Sequence, residues 1–487
     1  MKYDMKKFLL FATLVALAGA GCRKIEVDGD GGTGGGNGGG TGGGTGGQTI
    51  ILKGRIDSNM TLRRGNDYIM QGVVYIVGNK TLTVEPGVTV QGSYTGNDVA
   101  ALVITRGAKL VADGTQDRPI VFTSSSPTPR SGDWGGIVIC GKASINTSFA
   151  GTGGGPGIFE VEGGINNGNS DGLAGGGTSP DDNDSSGVLR YVRIEYAGYA
   201  FQPDKEINSL TLAAVGRKTV IDNVQVTYAK DDAFEWFGGT VNAKHLIAYK
   251  TQDDDFDTDN GFSGKVQFGL VIRDSLIADI SQSEAFESDN NSSGGTALPK
   301  TSAVFTNITA IGPRATPNNT GNSLFLAGAQ IRRNSAQSIY NSVFLGWPTG
   351  IYIDARNGSA VDLNINDSTL RIRNTTIAGS PAAIRYSANP TPTGMTDAGI
   401  VAWFTNPFFG NTIVNNNSDA KLIQPFNYSS PDPTPFAGSN GYAPIVSGGS
   451  FADPKLSDPF FTLVNFRGAI APAGPESTWW KGWTRFN

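Results

Sequence analysis

Between residues 224 and 290 the apolar and polar positions repeat in a fixed order. Three segments align without a gap: VQVTYAKDDAFEWFG from Val224, LIAYKTQDDDFDTDN from Leu246 and LIADISQSEAFESDN from Leu276, at offsets of 22 and 30 residues. Each opens on an apolar i, i+2 pair (Val224/Val226, Leu246/Ala248, Leu276/Ala278) and reaches an aromatic at one fixed distance: Phe234, Phe256 and Phe286. Carboxylates keep register as well. Asp232, Asp254 and Glu284 share one position, and Glu235, Asp257 and Glu287 share another. Period-2 spacing sends alternate side chains inward. A helical repeat would need apolar residues at i, i+3, i+4 and i+7, and these are missing. The pattern predicts stacked β-coils, each burying its apolar side against its neighbours. Coils stack about 4.8 Å apart, so equivalent residues form columns, and two of the columns are acidic.

The pattern extends in both directions. Strands begin at Gln48. TLTVEPGVTVQG (81–92) and ALVITRGAKLVADG (101–114) predict coils offset by 20, with Gly87 over Gly107 and Val90 over Leu110. Residues 150–187 are rich in Gly, Asn and Asp and lack periodicity, which predicts a long excursion without core. Val192 opens a coil before Val224. Further coils open at Ile308, Val343, Thr375 and, more weakly, Thr412. The stretch FRGAIAPAGPESTWWKGWTRFN places Trp479, Trp480 and Trp483 where a solenoid needs a cover for its last open edge. The predicted architecture is all-β: a single right-handed parallel β-helix over 48–487, with long loop excursions and an aromatic C-terminal cap. The hand follows from the preference of parallel crossovers.

The head of the chain is different. Lys2, Lys6 and Lys7 precede FLLFATLVALAGAG and then Cys22, which predicts a lipoprotein signal peptide over 1–21 and acylation of Cys22, although Gly19 stands where a lipobox usually has Leu. Arg23 and Lys24 follow in place of an inner-membrane retention Asp, which predicts the outer membrane. Residues 22–47 are dominated by Gly and form a flexible tether.

Composition removes several function classes. The chain has 487 residues, a formal charge of −5 and no suitable Lys/Arg run beyond its first residues, which argues against nucleic acid. A single histidine, His245, excludes a His-based zinc site and leaves a Ser–His–Asp triad only through that residue. Cys140, in GGIVICG, reads as a small buried hydrophobe.

The acidic columns are the strongest candidate site. Unit charges about 5 Å apart repel by about 3 kcal/mol at an effective dielectric near 20. A cation, a basic side chain, outward splay or a raised pKa must offset that. Asp232, Asp254, Glu284, Glu235, Asp257 and Glu287 offer hard oxygens only, with Asn260 and Asn290 close by, a donor set for Ca²⁺ over zinc. Lyase chemistry would add a basic residue, and Arg273, Lys250 and Lys265 are nearest in sequence. Asp231-Asp232 resembles the acid pair of polygalacturonases, but their Gly-His-Gly motif is missing, so no catalytic residue is assigned. Trp236, Phe237, Phe256 and Trp347 are candidates to line a groove, although the column of Phe234, Phe256 and Phe286 reads as core. Asp274-Ser275-Leu276 and Asp367-Ser368-Thr369 match a pattern O-glycosylated on some Gram-negative surface proteins, which makes Ser275 and Ser368 modification candidates.

From about Thr81 onward, EINSLTLAAVGRKTVIDNVQVTYAKDDAFEWFGGTVNAK, DDDFDTDNGFSGKVQFG and the closing FRGA…WWKGWTRFN resemble a family of secreted bacterial right-handed parallel β-helix surface lipoproteins. The resemblance implies a Gram-negative cell surface and no established activity. The expectation is therefore a non-catalytic lipoprotein, lipid-anchored in the outer membrane and facing outward. It would be a binding or accessory subunit of an outer-membrane assembly or a glycan binder. The alternative is a Ca²⁺-dependent polysaccharide lyase or another polysaccharide-active enzyme.

Overall fold

The computed structural model describes residues 47–202 and 205–486. The predicted signal segment, Cys22 and the predicted tether up to residue 46 lie outside them. Among the described residues, 27 strands join one hydrogen-bonded sheet wound into a parallel β-helix. No helix among them is long and apolar enough to cross a membrane.

One side of the stack is built from short strands: Leu210–Ala213, Phe234–Phe237, Phe256–Asp259 and Phe286–Ser288, followed by the longer Phe325–Arg332. The other two sides share long strands that bend once in the middle: Gly187–Glu195, Val220–Thr227, Asn242–Tyr249, Lys265–Ile272 and Val304–Ile311. The bend is a residue in the left-handed region. Tyr191, Asn223, His245, Phe268, Asn307, Asn341 and Asn374 occupy this corner on successive coils, with φ between 47° and 64°. Asn tolerates that conformation best among non-glycine residues because its short side chain bonds locally.

The central register holds. Val192 pairs with Val224, Val224 with Leu246, Phe234 with Phe256 and Phe256 with Phe286. The three phenylalanines stack at centroid distances of 5.7 and 5.3 Å and are fully buried. Openings near Ile308, Val343, Thr375 and Thr412 hold to within one residue, since Thr309 pairs with Val343, Val343 with Thr376 and Thr376 with Thr412. Cys140 is buried among apolar residues, as expected.

Other expectations fail for identifiable reasons. Leu276 does not stack on Leu246. It lies in a turn, 74% exposed, and Leu246 pairs with Gly269. A Cβ on Gly269 would lie 2.8 Å from Ile308 and 3.1 Å from the Phe256 ring. The coil needs glycine there, and the missing side chain erased the column signal that Leu276 then imitated. The offset of 20 at residues 81–114 joins two sides of one coil. The true partners are Leu82 with Leu110 and Val90 with Phe122. The excursion 150–187 does carry core: Val161, Ile165 and Ala174 pack with Val138, Cys140 and Phe237 on the outside of the stack, and Phe159 packs against Phe237.

The tryptophan-rich ending covers a side of the stack, not its end. Residues 450–486 form a strap that runs back along the bent corner. Asn341 and Ser450 exchange two hydrogen bonds, as do Gln267 and Thr462 and, further back, Gln225 and Arg485. Trp483 meets Tyr191 edge to face at 5.7 Å, and Arg193 bonds its carbonyl. Arg467 spans Gly448, Gly410, Thr376 and Thr412. The last coils are covered instead by the helix Asp397–Phe404, which buries Ile400 and Phe404 in the main core.

His245 clamps the strap. Its Nδ1 lies 2.7 Å from Asp222 and its Nε2 3.3 Å from Glu476, with the ring stacked on Phe268 and against Trp479. Burial opposes its charge, but the bonds to Asp222 and Glu476 outweigh burial and raise its pKa above the usual 6.5. Lys244, which bonds Thr462 of the strap, also faces Asp222 and Glu476. A raised histidine contributes stability that is full below its unfolded pKa and lost as pH rises through the folded one. In denaturant titrations, His245→Gln should therefore destabilise more at pH 6 than at pH 9. An equal loss at both values would show that the ring acts by packing alone.

Candidate acidic cleft

The short strands set the site. Each enters from a turn that carries the first acidic column and then exposes the second. In the first, Asn208 Oδ1 accepts the Asp232 N–H at 3.2 Å, Asp232 Oδ1 accepts the Asp254 N–H at 2.8 Å and Asp254 Oδ1 accepts the Glu284 N–H at 2.6 Å. Asn208, Asp232 and Asp254 thus each bond the backbone of the coil above. In the second column, strand pairing aligns Thr211, Glu235, Asp257, Glu287 and Gln330. The acidic run is bracketed by neutral residues, with Asn208 and Thr211 at one end and Gln330 at the other.

All six predicted acids converge. Oxygens of Asp232, Glu235 and Asp257 lie within 4.8 Å of one another, and so do those of Asp254, Glu284 and Glu287. A third such group, Asp231, Asp232 and Asp253, was not foreseen. The three groups border one polar cavity of about 190 Å³ that Arg332 also lines, with Glu284 set behind its wall. Asn208 donates to Glu235. Asp257 Oδ1 is sealed from solvent and has no hydrogen-bond partner.

Burial and mutual repulsion raise these acids together. Burial is the larger cause throughout. For Asp232 the neighbours Asp231 and Asp254 add to it, for Glu235 the neighbour is Asp257, and for Glu284 it is Asp254. Asp257 is raised by burial and by Glu287. Asp254 is raised to about 8 by burial and by Glu287. Glu287 also reaches about 8, because burial outweighs the opposing pull of Arg332.

The bases expected beside the acids are elsewhere. Arg273 is fully buried, 3.2 Å from Asp255, and donates to the carbonyls of Asp253 and Gln252. Lys250 pairs with Asp274 at 3.5 Å and lies over Tyr228 and Tyr249, while Lys265 pairs with Asp458. The base in the cleft is Arg332. It bonds Glu287 and, at 2.9 Å, Asp289, which also pairs with Arg333 at 2.6 Å. Arg332 was illegible because its strand, Phe325–Arg332, carries no acid of its own in the repeat. Among the described residues the candidate aromatics form no groove at the cleft: Trp236, Phe256 and Trp347 are fully buried, and Phe237 lies beneath Phe159. Asn260 is buried with its side chain on Asp259, and Asn290 braces the turn at Gly295 and Ala297. Ser275 is half-buried, whereas Ser368 is exposed in a left-handed turn.

Residues 54–414 match a family model described as a pectate-lyase like beta helix domain. No curated protein matches the chain.

Proposed function

Because the chain belongs to the pectate-lyase-like β-helix domain family, we propose that it is a non-catalytic member whose cleft binds Ca²⁺, carried at the cell surface of a Gram-negative outer membrane by acylated Cys22. The observation that carries the reading is the stack of carboxylates around the unpartnered Asp257 Oδ1. Hard oxygen donors suit Ca²⁺. Asp232, Glu235 and Asp257 would hold it, with Asp254, Glu284 and Glu287 beside them. The ion would cancel the repulsion that raises these acids. Arg332 is clamped by two carboxylates and its own pKa is raised, because Glu287 and Asp289 outweigh burial. A guanidinium held in that state is a poor base, which supports a binding role over elimination.

A polysaccharide lyase remains the second reading, favoured by the family and by an arginine in a carboxylate cleft. Calorimetric titration of the purified chain with Ca²⁺, followed by incubation with polygalacturonate under ultraviolet detection of unsaturated uronate, separates the two. The expected result is Ca²⁺ uptake without elimination. Product formation abolished by Arg332→Lys would establish the lyase. For the anchor, the mature mass should begin at an acylated Cys22, and Cys22→Ala should release the protein from membranes. An unmodified Cys22 in the mature chain would refute the anchor. The binding partner at the surface follows from what co-purifies with the anchored form.

A further inference from the structure

The two carboxylate groups of the cleft are not equivalent. Asp232, Glu235 and Asp257 face Asn208, a neutral amide. In the group of Asp254, Glu284 and Glu287, Glu287 is bonded by Arg332, which arrives from the next coil and lies close enough to Asp257 to feel its charge without a hydrogen bond to it. Arg332 is fixed in that position. Its Nε bonds Asp289, and Asp289 is held from its other oxygen by Arg333. A planar guanidinium with two carboxylate partners is oriented by the fork geometry of its donors.

Resting on the Ca²⁺ reading above, we propose that Arg332 is a tethered counter-cation that fills the Glu287 end of the cleft, so that the first Ca²⁺ enters at Asp232, Glu235 and Asp257 and a second enters only by displacing the guanidinium. The unpartnered oxygen lies where this requires: Asp257 Oδ1 belongs to the group that Arg332 does not reach by any hydrogen bond. The side chain thereby sets both the number of ions and their order. Two divalent ions packed in one small cavity repel each other, and a resident guanidinium limits the cleft to one at ordinary concentrations. Displacement would free Arg332 from Glu287 while Asp289 retains it, so occupancy of the second group is coupled to movement of this side chain.

Calorimetric titration of the full chain with Ca²⁺ alone tests the proposal. Wild type should take one ion, with a second entering at a concentration at least a hundredfold higher. Arg332→Gln should take two ions, the second bound at least tenfold more tightly than in wild type. Arg332→Lys, which keeps the charge without the fork, should fall between them. Equal uptake of two ions by wild type would overturn the proposal without any variant, and so would one unchanged ion in a folded Arg332→Gln. If neither protein takes up Ca²⁺, the cation reading itself falls, which distinguishes the two failures.

Discussion

Stripped of divalent cations by chelator, the protein should melt at progressively lower temperature as pH rises from about 5 to 9, and Ca²⁺ should reverse part of that fall. Asp253, Asp254, Asp259 and Glu287 are each raised to about 8, with burial the largest cause in every case. Their usual values are 3.8 for Asp and 4.5 for Glu. An acid with a raised folded pKa binds its proton more tightly when folded. Its contribution is complete below the unfolded pKa and is lost as pH climbs through the folded one. The window is therefore about pH 4 to 8. Each unit is worth about 1.4 kcal/mol, so one carboxyl such as Asp254, raised from 3.8 to about 8, corresponds to about 6 kcal/mol across it. The acids repel one another, so their contributions do not add. Ca²⁺ at a hundred times its dissociation constant returns about 2.7 kcal/mol, provided that it binds only the folded state. Asp257→Asn gives the sharpest control. It should melt higher than wild type at pH 8 in chelator and show no rise with Ca²⁺. A chelated wild type whose midpoint is flat from pH 5 to 9 would mean that the acids are not confined as described.

Ending the chain after Arg467 should lower the melting temperature by several degrees and expose dye-binding apolar surface. Trp480, Trp483 and Ile470 pack with Ile247, Tyr249, Leu270 and Ile272 on the outer side of the stack. Each large side chain contributes about 2–3 kcal/mol on burial, so losing the three uncovers roughly 6–9 kcal/mol of contact, and a chain of this size shifts by at most a few degrees per kcal/mol. Trp483→Ala tests the same contact at one position, with an expected cost of about 3–5 kcal/mol. A truncated protein that melts with wild type would place the strap outside the cooperative unit.

What could be read from the sequence was what faces inward and repeats. Phe234, Phe256 and Phe286 are inward, large and spaced by one coil each, so the side carrying the cleft and all six of its predicted acids were legible. Positions without a repeating side chain were not. Gly269 left a gap in the apolar column, and the exposed Leu276 filled it by coincidence. Asn208 and Arg332 act at the two ends of the acidic run, where the pattern has already stopped. Contacts between distant segments leave no local signal. Gln225 and Gln267 look like ordinary polar strand residues, and their partners lie 260 and 195 residues further along.

The strap also puts the finishing of this fold on a schedule. Chains are made N-terminus first, and their parts fold in that order. The coils around Tyr191, Tyr249 and Ile272 can be wound long before Trp480 and Trp483 exist, and until then their outer side stays bare. A chain that stalls or is clipped before residue 480 is left with wound coils and an adhesive flank that proteases and chaperones can recognise. The coils can form from partial chains, but the soluble surface forms only from one that has been read through to the strap.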